Sequence, residues 1–304
     1  MGRWSLDDMP DQSGRTVLVT GANSGLGVRS AEAFAAKGAH VLMACRNEAK
    51  AEIARRDVAA VATGPEPTVV RLDLSDLASV RKAADEVAVS VDRLDVLLNN
   101  AGVMAIPRAT TTDGFEMQFG TNHLGHFALT GLLLPVLRKA EAPRVVTTSS
   151  NGHKVGRMDW DDLQGERRYG KWRAYSQSKL ANLLFAYELD RRATDAGLDL
   201  LSAGAHPGYS RTHLTDRDGA RVWGMAVAIG NRLFSQSDAA GAWPQLYAAT
   251  MPDVKGGDYY GPDGFQEMKG SPRIAPTTAR ARDEAAAAGL WQLSERLTGV
   301  TYDF

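Results

Sequence analysis

The chain has 304 residues, with 35 Lys and Arg against 36 Asp and Glu, a formal net charge of −1 that leaves no basic footprint for nucleic acid or an anionic membrane surface. Its one cysteine, Cys45, excludes an internal disulfide framework and a cysteine-cluster metal site, so a chain of this length is expected to hold its fold by core burial, as in the reducing cytoplasm. Met1 to Gly14 carries Asp7, Asp8, Asp11 and Pro10 without an apolar run, so neither a signal peptide nor a transmembrane anchor is expected.

In chain order, short β-branched runs alternate with longer alanine-rich segments. Thr16 to Thr20, His40 to Ala44, Thr68 to Leu72, Leu94 to Leu98, Arg144 to Thr148 and Leu198 to Ala205 read as strands, with Asp258 to Tyr260 as a seventh. Gly25 to Lys37, Glu48 to Ala62, Asp76 to Val89, Phe115 to Arg138 and Tyr175 to Ala196 read as helices. Phe127 to Leu137 is the most apolar stretch, but Thr130, Gly131 and Pro135 interrupt it and it is far short of the ~20 residues that span a bilayer. The alternation predicts an α/β fold: a doubly wound parallel sheet of about seven strands with helices on both faces. No repeat or linker breaks the pattern before about Tyr260. A single domain over residues 15–262 is therefore expected, with residues 1–14 as an N-terminal extension. Gly256 to Pro276 reads as loop, and residues 263–304 as a C-terminal extension with one helix, Thr278 to Leu297.

The first strand runs into Thr20-Gly21-Ala22-Asn23-Ser24-Gly25-Leu26-Gly27 and then a helix. Glycines in that position let the backbone turn tightly against a pyrophosphate, whose charge suits the unpaired N–H groups of a helix N-terminus. The spacing T-G-x-x-x-G-x-G is followed in order by Asp73, Asn99-Asn100-Ala101-Gly102, Asn122, Ser149-Ser150, Tyr175-x-x-x-Lys179 and His206-Pro207-Gly208. From Thr20 to Thr212, most of the chain, this series resembles the short-chain dehydrogenase/reductase family, which implies a Rossmann-type sheet and a nicotinamide cofactor.

The resemblance puts Gly21, Asn23, Ser24, Gly25, Leu26 and Gly27 at the pyrophosphate. In dinucleotide folds an acidic residue about 20 positions beyond the glycines selects NAD, whereas an arginine there accommodates a 2′-phosphate. Arg46 stands 19 residues beyond Gly27, so NADP(H) is favoured over NAD(H), with Ser24 and Asn47 as further donors. The resemblance also implies that Asp73 and Leu74 meet the adenine and that Asn100, Ala101 and Gly102 lie along the adenosine ribose. Pro207 and Gly208 would pass the nicotinamide, with Thr212 bonding its carboxamide.

Tyr175 and Lys179 are four apart on a helix and share a face. Bringing a tyrosine from its ordinary value near 10 to neutrality takes about 4 kcal/mol. An ammonium ~5 Å away, at an effective dielectric of ~20, contributes about 3 kcal/mol of it. The resemblance then implies that Tyr175 is the acid and base, that Lys179 also holds the nicotinamide ribose, that Ser150 rather than Ser149 bonds the substrate oxygen, and that Asn122 positions a relay water. His123 and His126 lack a third ligand, so no metal is expected.

Twenty-five residues separate Ser150 from Tyr175, and residues 151–173, with Trp160, Tyr169 and Trp172, read as a substrate loop. Residues 209–234 read as a second substrate loop, either a lid or a packed helix. Together with this gap, Ala44-Cys45-Arg46, Asp113-Gly114-Phe115-Glu116 and Asn122-His123-Leu124-Gly125-His126-Phe127 resemble the branch of retinol dehydrogenases, WW-domain oxidoreductases and protochlorophyllide reductases. That likeness implies an apolar small-molecule aldehyde, ketone or alcohol as substrate, and it leaves a homo-oligomer open. The alternatives are a catalytically silent NADP(H)-sensing protein, against which the intact Asn122, Ser150, Tyr175 and Lys179 argue, and a nucleotide-sugar epimerase or dehydratase. The latter is disfavoured by Ser24, where its spacing expects glycine, and by the short chain beyond Tyr260.

Overall fold

The computed structural model describes residues 4–208 and 238–304. Its sheet has eight strands: β1 Thr16–Thr20, β2 His40–Cys45, β3 Thr68–Arg71, β4 Val96–Asn99, β5 Arg144–Thr148, β6 Leu201–Ala205, β7 Tyr259–Pro262 and β8 Pro272–Ile274. The order is β3-β2-β1-β4-β5-β6-β7-β8, parallel throughout except for the antiparallel pair β7 and β8. The strand order reverses direction between β1 and β4, and in such sheets the ligand crevice lies at the carboxyl ends beside that switch.

The strand residues alternate between two cores because side chains leave a strand on opposite faces. Val17, Val19, Val41, Met43, Val96, Leu98 and Val146 point to one side, under helices α1 (Gly25–Ala36) and α2 (Glu48–Val61). Leu18, Leu42, Leu97 and Val145 point to the other, under α3 (Leu77–Ser90), α4 (Gly125–Leu137) and α5 (Lys171–Asp195). Each fully buried aliphatic side chain contributes about 1.5–3 kcal/mol relative to exposure, so both faces anchor the sheet.

Both ends of the described chain pack on these layers. Trp4 sets its ring edge-on to Trp243 and Tyr247, on helix α6 (Trp243–Thr250), at 5.9 and 5.7 Å. At the other end, Tyr302 donates to the Phe127 carbonyl at 2.6 Å and packs on Trp291 of α7 (Glu284–Thr298).

The differences from expectation have local causes. The segment read as one helix from Phe115 is instead a single turn, Met117–Phe119, a π turn, Gly120–Leu124, and then α4. The side chain of Asn122 bonds both backbone groups of Val103, which holds the wider turn in place. Helix α5 begins at Lys171, four residues before the expected start at Tyr175, and thus takes in the end of the expected loop. The expected last helix opens as a 3-10 turn, Ala279–Arg282, and is α-helical only from Glu284, which Asp283 caps through Ala286 N–H at 2.9 Å. Several short elements had no counterpart in the expectation, among them β8, α6, the helical turn Asp238–Gly241 before it and the 3-10 turns Leu6–Asp8, Asn151–Lys154 and Phe265–Glu267. Among the described residues no helix is long and apolar enough to cross a membrane. Thr212 and the whole 209–234 segment lie outside the described residues.

Candidate active site

The carboxyl ends of β1, β4, β5 and β6 deliver the glycine turn, Asn100-Ala101-Gly102, Ser149-Ser150 and His206-Pro207-Gly208 to one edge of the sheet. In the glycine turn, Gly21 has φ +68°, and a Cβ at Gly27 would run into the Gly21 carbonyl oxygen and the Asn100 amide. The turn therefore packs this closely on α1 and on the chain after β4 only because neither residue has a side chain. Ser24 caps α1 by backbone conformation, without a side-chain cap bond, and Asn23 and Leu26 flank it at the helix mouth. Beneath the turn, Cys45 is buried; burial pushes its thiol up to about 12, against hydrogen bonds from the Ala22 and Asn23 backbone, so it stays protonated.

Thr20 ties this turn to β4. Its hydroxyl accepts from the backbone N–H of both Asn100 and Ala101 at 2.9 Å and lies 2.9 Å from His126 Nε2. His126 Nδ1 faces the Asn122 carbonyl at 3.0 Å, so that nitrogen carries the proton and Nε2 accepts from Thr20. Burial pushes His126 down to about 4, so it stays neutral and links the π turn to the glycine cradle. His123 is likewise structural: it is pushed down to about 3 by burial and bonded to Ser294 at 2.9 Å. Gln245 of α6 adds a second tie, from Asn100 to Ser30 and Thr148.

Arg46 is exposed just past β2, its Nε 4.0 Å from the Asp73 carboxylate. Glu48, the nearby acid, pairs instead with Arg71 at 3.0 Å, and Asn47 spends its side-chain oxygen capping α2 through Lys50 N–H at 2.9 Å. Asp73 accepts from the Ser75 backbone and hydroxyl, and Leu74 is buried with its backbone against Gly125.

Tyr175, Lys179 and Ser150 come together above β5. The Ser149 hydroxyl is turned away, donating to the Lys179 carbonyl at 2.7 Å, whereas Ser150 lies on the Tyr175 side, its hydroxyl accepting from Gly152 N–H at 3.1 Å and acting on the Tyr175 phenol. Lys179 is 4% exposed, and its Nζ donates to the Thr148 carbonyl at 3.0 Å and stands 5.9 Å from the Tyr175 ring centre. A Cβ on Gly102 would lie 3.5 Å from that Nζ, so the lysine looks out beside the Gly102 backbone. Asn122 sits behind it, its amide donating to the Val103 carbonyl and to Ser178 at 2.9 Å each, while its own carbonyl faces His126 Nδ1.

The electrostatics differ from the simple pair argument. Burial pushes the Tyr175 phenol up and the Ser150 hydroxyl pulls it down, for a net rise, while burial alone pushes Lys179 down to about 8. The lysine is itself poorly solvated, so in the cofactor-free protein it does not overcome the desolvation of its neighbour.

Residues 151–170 pack along the start of α5 and reach back to the β4 side. Tyr169 donates to the Ile106 carbonyl at 2.9 Å, and Gln118 donates to Tyr169 at 2.9 Å. Trp172, 57% exposed, stands edge-on to the Tyr175 ring at 6.2 Å. His126, Thr20 and Gln245 were not singled out from the sequence as site residues; a threonine ending a strand before the glycines was the visible signal, and the other two depend on tertiary contacts.

Residues 15–222 match the family model of the short chain dehydrogenases, and the chain belongs to the short-chain dehydrogenase/reductase family of oxidoreductases. Retinol dehydrogenase 14 of Homo sapiens is 41% identical over 94% of this chain and 87% of its own length. Retinol dehydrogenase 13 of Mus musculus is 39% identical over 94% and 84%. A solved structure of an uncharacterized protein from Mycobacterium paratuberculosis superposes with a TM-score of 0.83 at 45% identity, covering 100% of both chains. A short chain dehydrogenase from Shigella flexneri, complexed with NADP, superposes with a TM-score of 0.65 at 25% identity over 83% of this chain and 98% of that one.

Proposed function

We propose that the protein is an NADP(H)-dependent oxidoreductase that interconverts a carbonyl and an alcohol on an apolar small molecule, with Tyr175 as acid and base. The observation that carries this reading is the meeting of Tyr175, Ser150 and Lys179 beside the Gly102 backbone, at the sheet edge that also holds the glycine turn. The residues present fit a dinucleotide: a tight glycine turn with Gly21 at positive φ leading into a helix N-terminus, an uncommitted Ser24 hydroxyl at that helix mouth, and a buried lysine. Gly21, Asn23, Ser24, Gly25, Leu26 and Gly27 would hold the pyrophosphate, Asp73, Leu74, Asn100, Ala101 and Gly102 the adenosine, and Pro207 and Gly208 the nicotinamide. Preference for NADP(H) rests on Arg46, exposed at the adenosine end with its acidic neighbour Glu48 drawn to Arg71. When bound, the nicotinamide supplies or takes up the hydride.

In the reducing direction the Tyr175 hydroxyl gives its proton to the substrate oxygen while Ser150 donates a hydrogen bond to the same atom. In the oxidising direction Tyr175 must be ionised to accept the proton, which requires its raised pKa to fall. Lys179 assists, and the positive charge of an oxidised nicotinamide adds to it. The Asn122 side chain is committed to Val103 and Ser178 and its carbonyl already accepts from His126 Nδ1, so a water behind Lys179 would use the second lone pair of that carbonyl. An apolar substrate is supported by the exposed Trp172 beside Tyr175 and by the likeness to proteins named retinol dehydrogenases.

The test is a screen of long-chain aldehydes, ketones and alcohols for NADPH consumption or formation, with Tyr175→Phe as control. Loss of the general acid lowers kcat by at least about 100-fold. Turnover that survives in Tyr175→Phe refutes the mechanism, and NADPH binding without turnover of any compound points to a nucleotide sensor.

A further inference from the structure

A buried charged cluster at the same end of the sheet is not used by the catalytic assignment. Residues Asp263 to Ser271 join β7 to β8 and close on themselves through Asp263 N–H to the Ser271 carbonyl at 2.8 Å and Gly264 N–H to the Lys269 carbonyl at 2.9 Å. Within this loop Phe265 is 76% exposed, yet Glu267 is turned inward and only 5% exposed. Gln266 and Glu267 have φ of +50° and +56°, a backbone conformation that such residues keep only when their surroundings over-determine it.

The Glu267 carboxylate has two cationic or proton-bearing partners from different parts of the chain. Oε1 accepts from Lys154 Nζ at 2.8 Å, and Oε2 lies 3.1 Å from His206 Nε2, a contact too bent for a straight hydrogen bond. Burial pushes the Glu267 carboxyl up, but His206 and Lys154 outweigh it and hold it at about 2. His206 Nδ1 accepts from Gly208 N–H at 3.2 Å, which leaves the proton on Nε2, beside the Glu267 carboxylate but not aligned with it.

Each partner belongs to a turn that enters the site. Lys154 ends the 3-10 turn Asn151–Lys154 that Ser150 caps, and in it the Ser150 carbonyl accepts from His153 N–H at 3.0 Å. His206 opens the His206-Pro207-Gly208 turn. Gly208, at φ +71°, is pressed against the same loop, where a Cβ would come within 2.6 Å of the Met268 carbonyl oxygen and 2.9 Å of that of Glu267.

We propose that Glu267 is the positioning residue of the nicotinamide end: one buried carboxylate sets the Ser150 turn and the Pro207-Gly208 turn in register with each other. This rests on the reading that Pro207 and Gly208 line the nicotinamide. The adenosine end, at Arg46 and Asp73 beyond β2 and β3, is several strands away across the sheet and, among the described residues, shares no ion pair with the cluster, so the effect is confined to one half of the ligand.

The full chain is tested as wild type, Glu267→Gln and Lys154→Met, with titrations of NADPH and of 2′,5′-ADP, which carries only the adenosine half, together with steady-state kinetics. Glu267→Gln keeps the shape and removes the charge. It is expected to weaken NADPH binding about tenfold, the scale of one charge-assisted hydrogen bond, and to lower kcat as Ser150 loses register. Binding of 2′,5′-ADP stays within about twofold of wild type on the same ground. Lys154→Met, which removes a partner from the exposed side, shifts NADPH binding in the same direction by about threefold and decides the matter if Glu267→Gln fails to fold. Equal losses for both ligands, or NADPH binding and turnover equal to wild type, overturn the proposal. Wild-type protein that binds no NADPH overturns the cofactor reading instead.

Discussion

Lys179 carries a cost that can be measured. Its ammonium is 4% exposed and makes one hydrogen bond, to the Thr148 carbonyl, and burial lowers it from the ordinary 10.5 to about 8. Each pH unit of displacement corresponds to 1.36 kcal/mol, so folding with a charged Lys179 is disfavoured by about 3 kcal/mol at neutral pH. Lys179→Met removes the charge at similar length, and the Thr148 carbonyl keeps a donor in Asn182 Nδ2 at 3.0 Å. The cofactor-free variant is therefore expected to be inactive yet more stable at pH 7, melting roughly 5 °C higher for a chain of this size. Below about pH 8 both folded and unfolded lysine are charged and the penalty is complete. Between about 8 and 10.5 the folded state holds fewer protons than the unfolded one, so wild-type stability rises with pH relative to the variant, and the gap closes. Thermal melts of both proteins from pH 7 to 10, without nucleotide, measure this. A variant no more stable than wild type at pH 7, or a gap that does not narrow with pH, refutes the reasoning.

Arg46→Asp replaces the cation at the adenosine end with a second carboxylate beside Asp73, and the ratio of kcat/KM for NADPH to that for NADH is expected to fall at least about tenfold; an unchanged ratio removes Arg46 as the selector. Gly27→Ala sets a methyl against the Gly21 carbonyl, an atom of the backbone that cannot rotate away. Denaturant titration should show a loss of about 2–3 kcal/mol, with NADPH binding reduced more than tenfold.

The seven parallel strands were legible because strands covered on both faces are written as continuous β-branched runs between helical segments. Helix α6 and β8 were not: α6 has only eight residues with Pro244 near its start, and β8 is three residues whose extended form is set by pairing with β7. The break at Gly120–Leu124 depends on Asn122 reaching Val103, a contact no periodicity reports. In the site, the glycine turn and the Tyr175–Lys179 pair are local patterns, and Arg46 is found by counting from Gly27. Thr20, His126 and Glu267 act across long sequence separations, and Glu267 lies in a stretch whose glycines and prolines spoke only of loop. The acidity of Tyr175 was misjudged for a related reason: the desolvation of Lys179 is a property of the packed interior, invisible from helical spacing.

Gly21 and Gly27 constrain one another, since the carbonyl of the first occupies the space a side chain on the second would need, and the first is held in a left-handed conformation. A single substitution at either glycine thus carries a cost, at Gly27 from the Gly21 carbonyl and at Gly21 from its positive φ and the nearby Ala101. Arg46, exposed and among the described residues paired with Asp73 at 4.0 Å, has no such dependence. On the proposed reading, nucleotide preference can therefore be altered at the exposed rim without disturbing the turn.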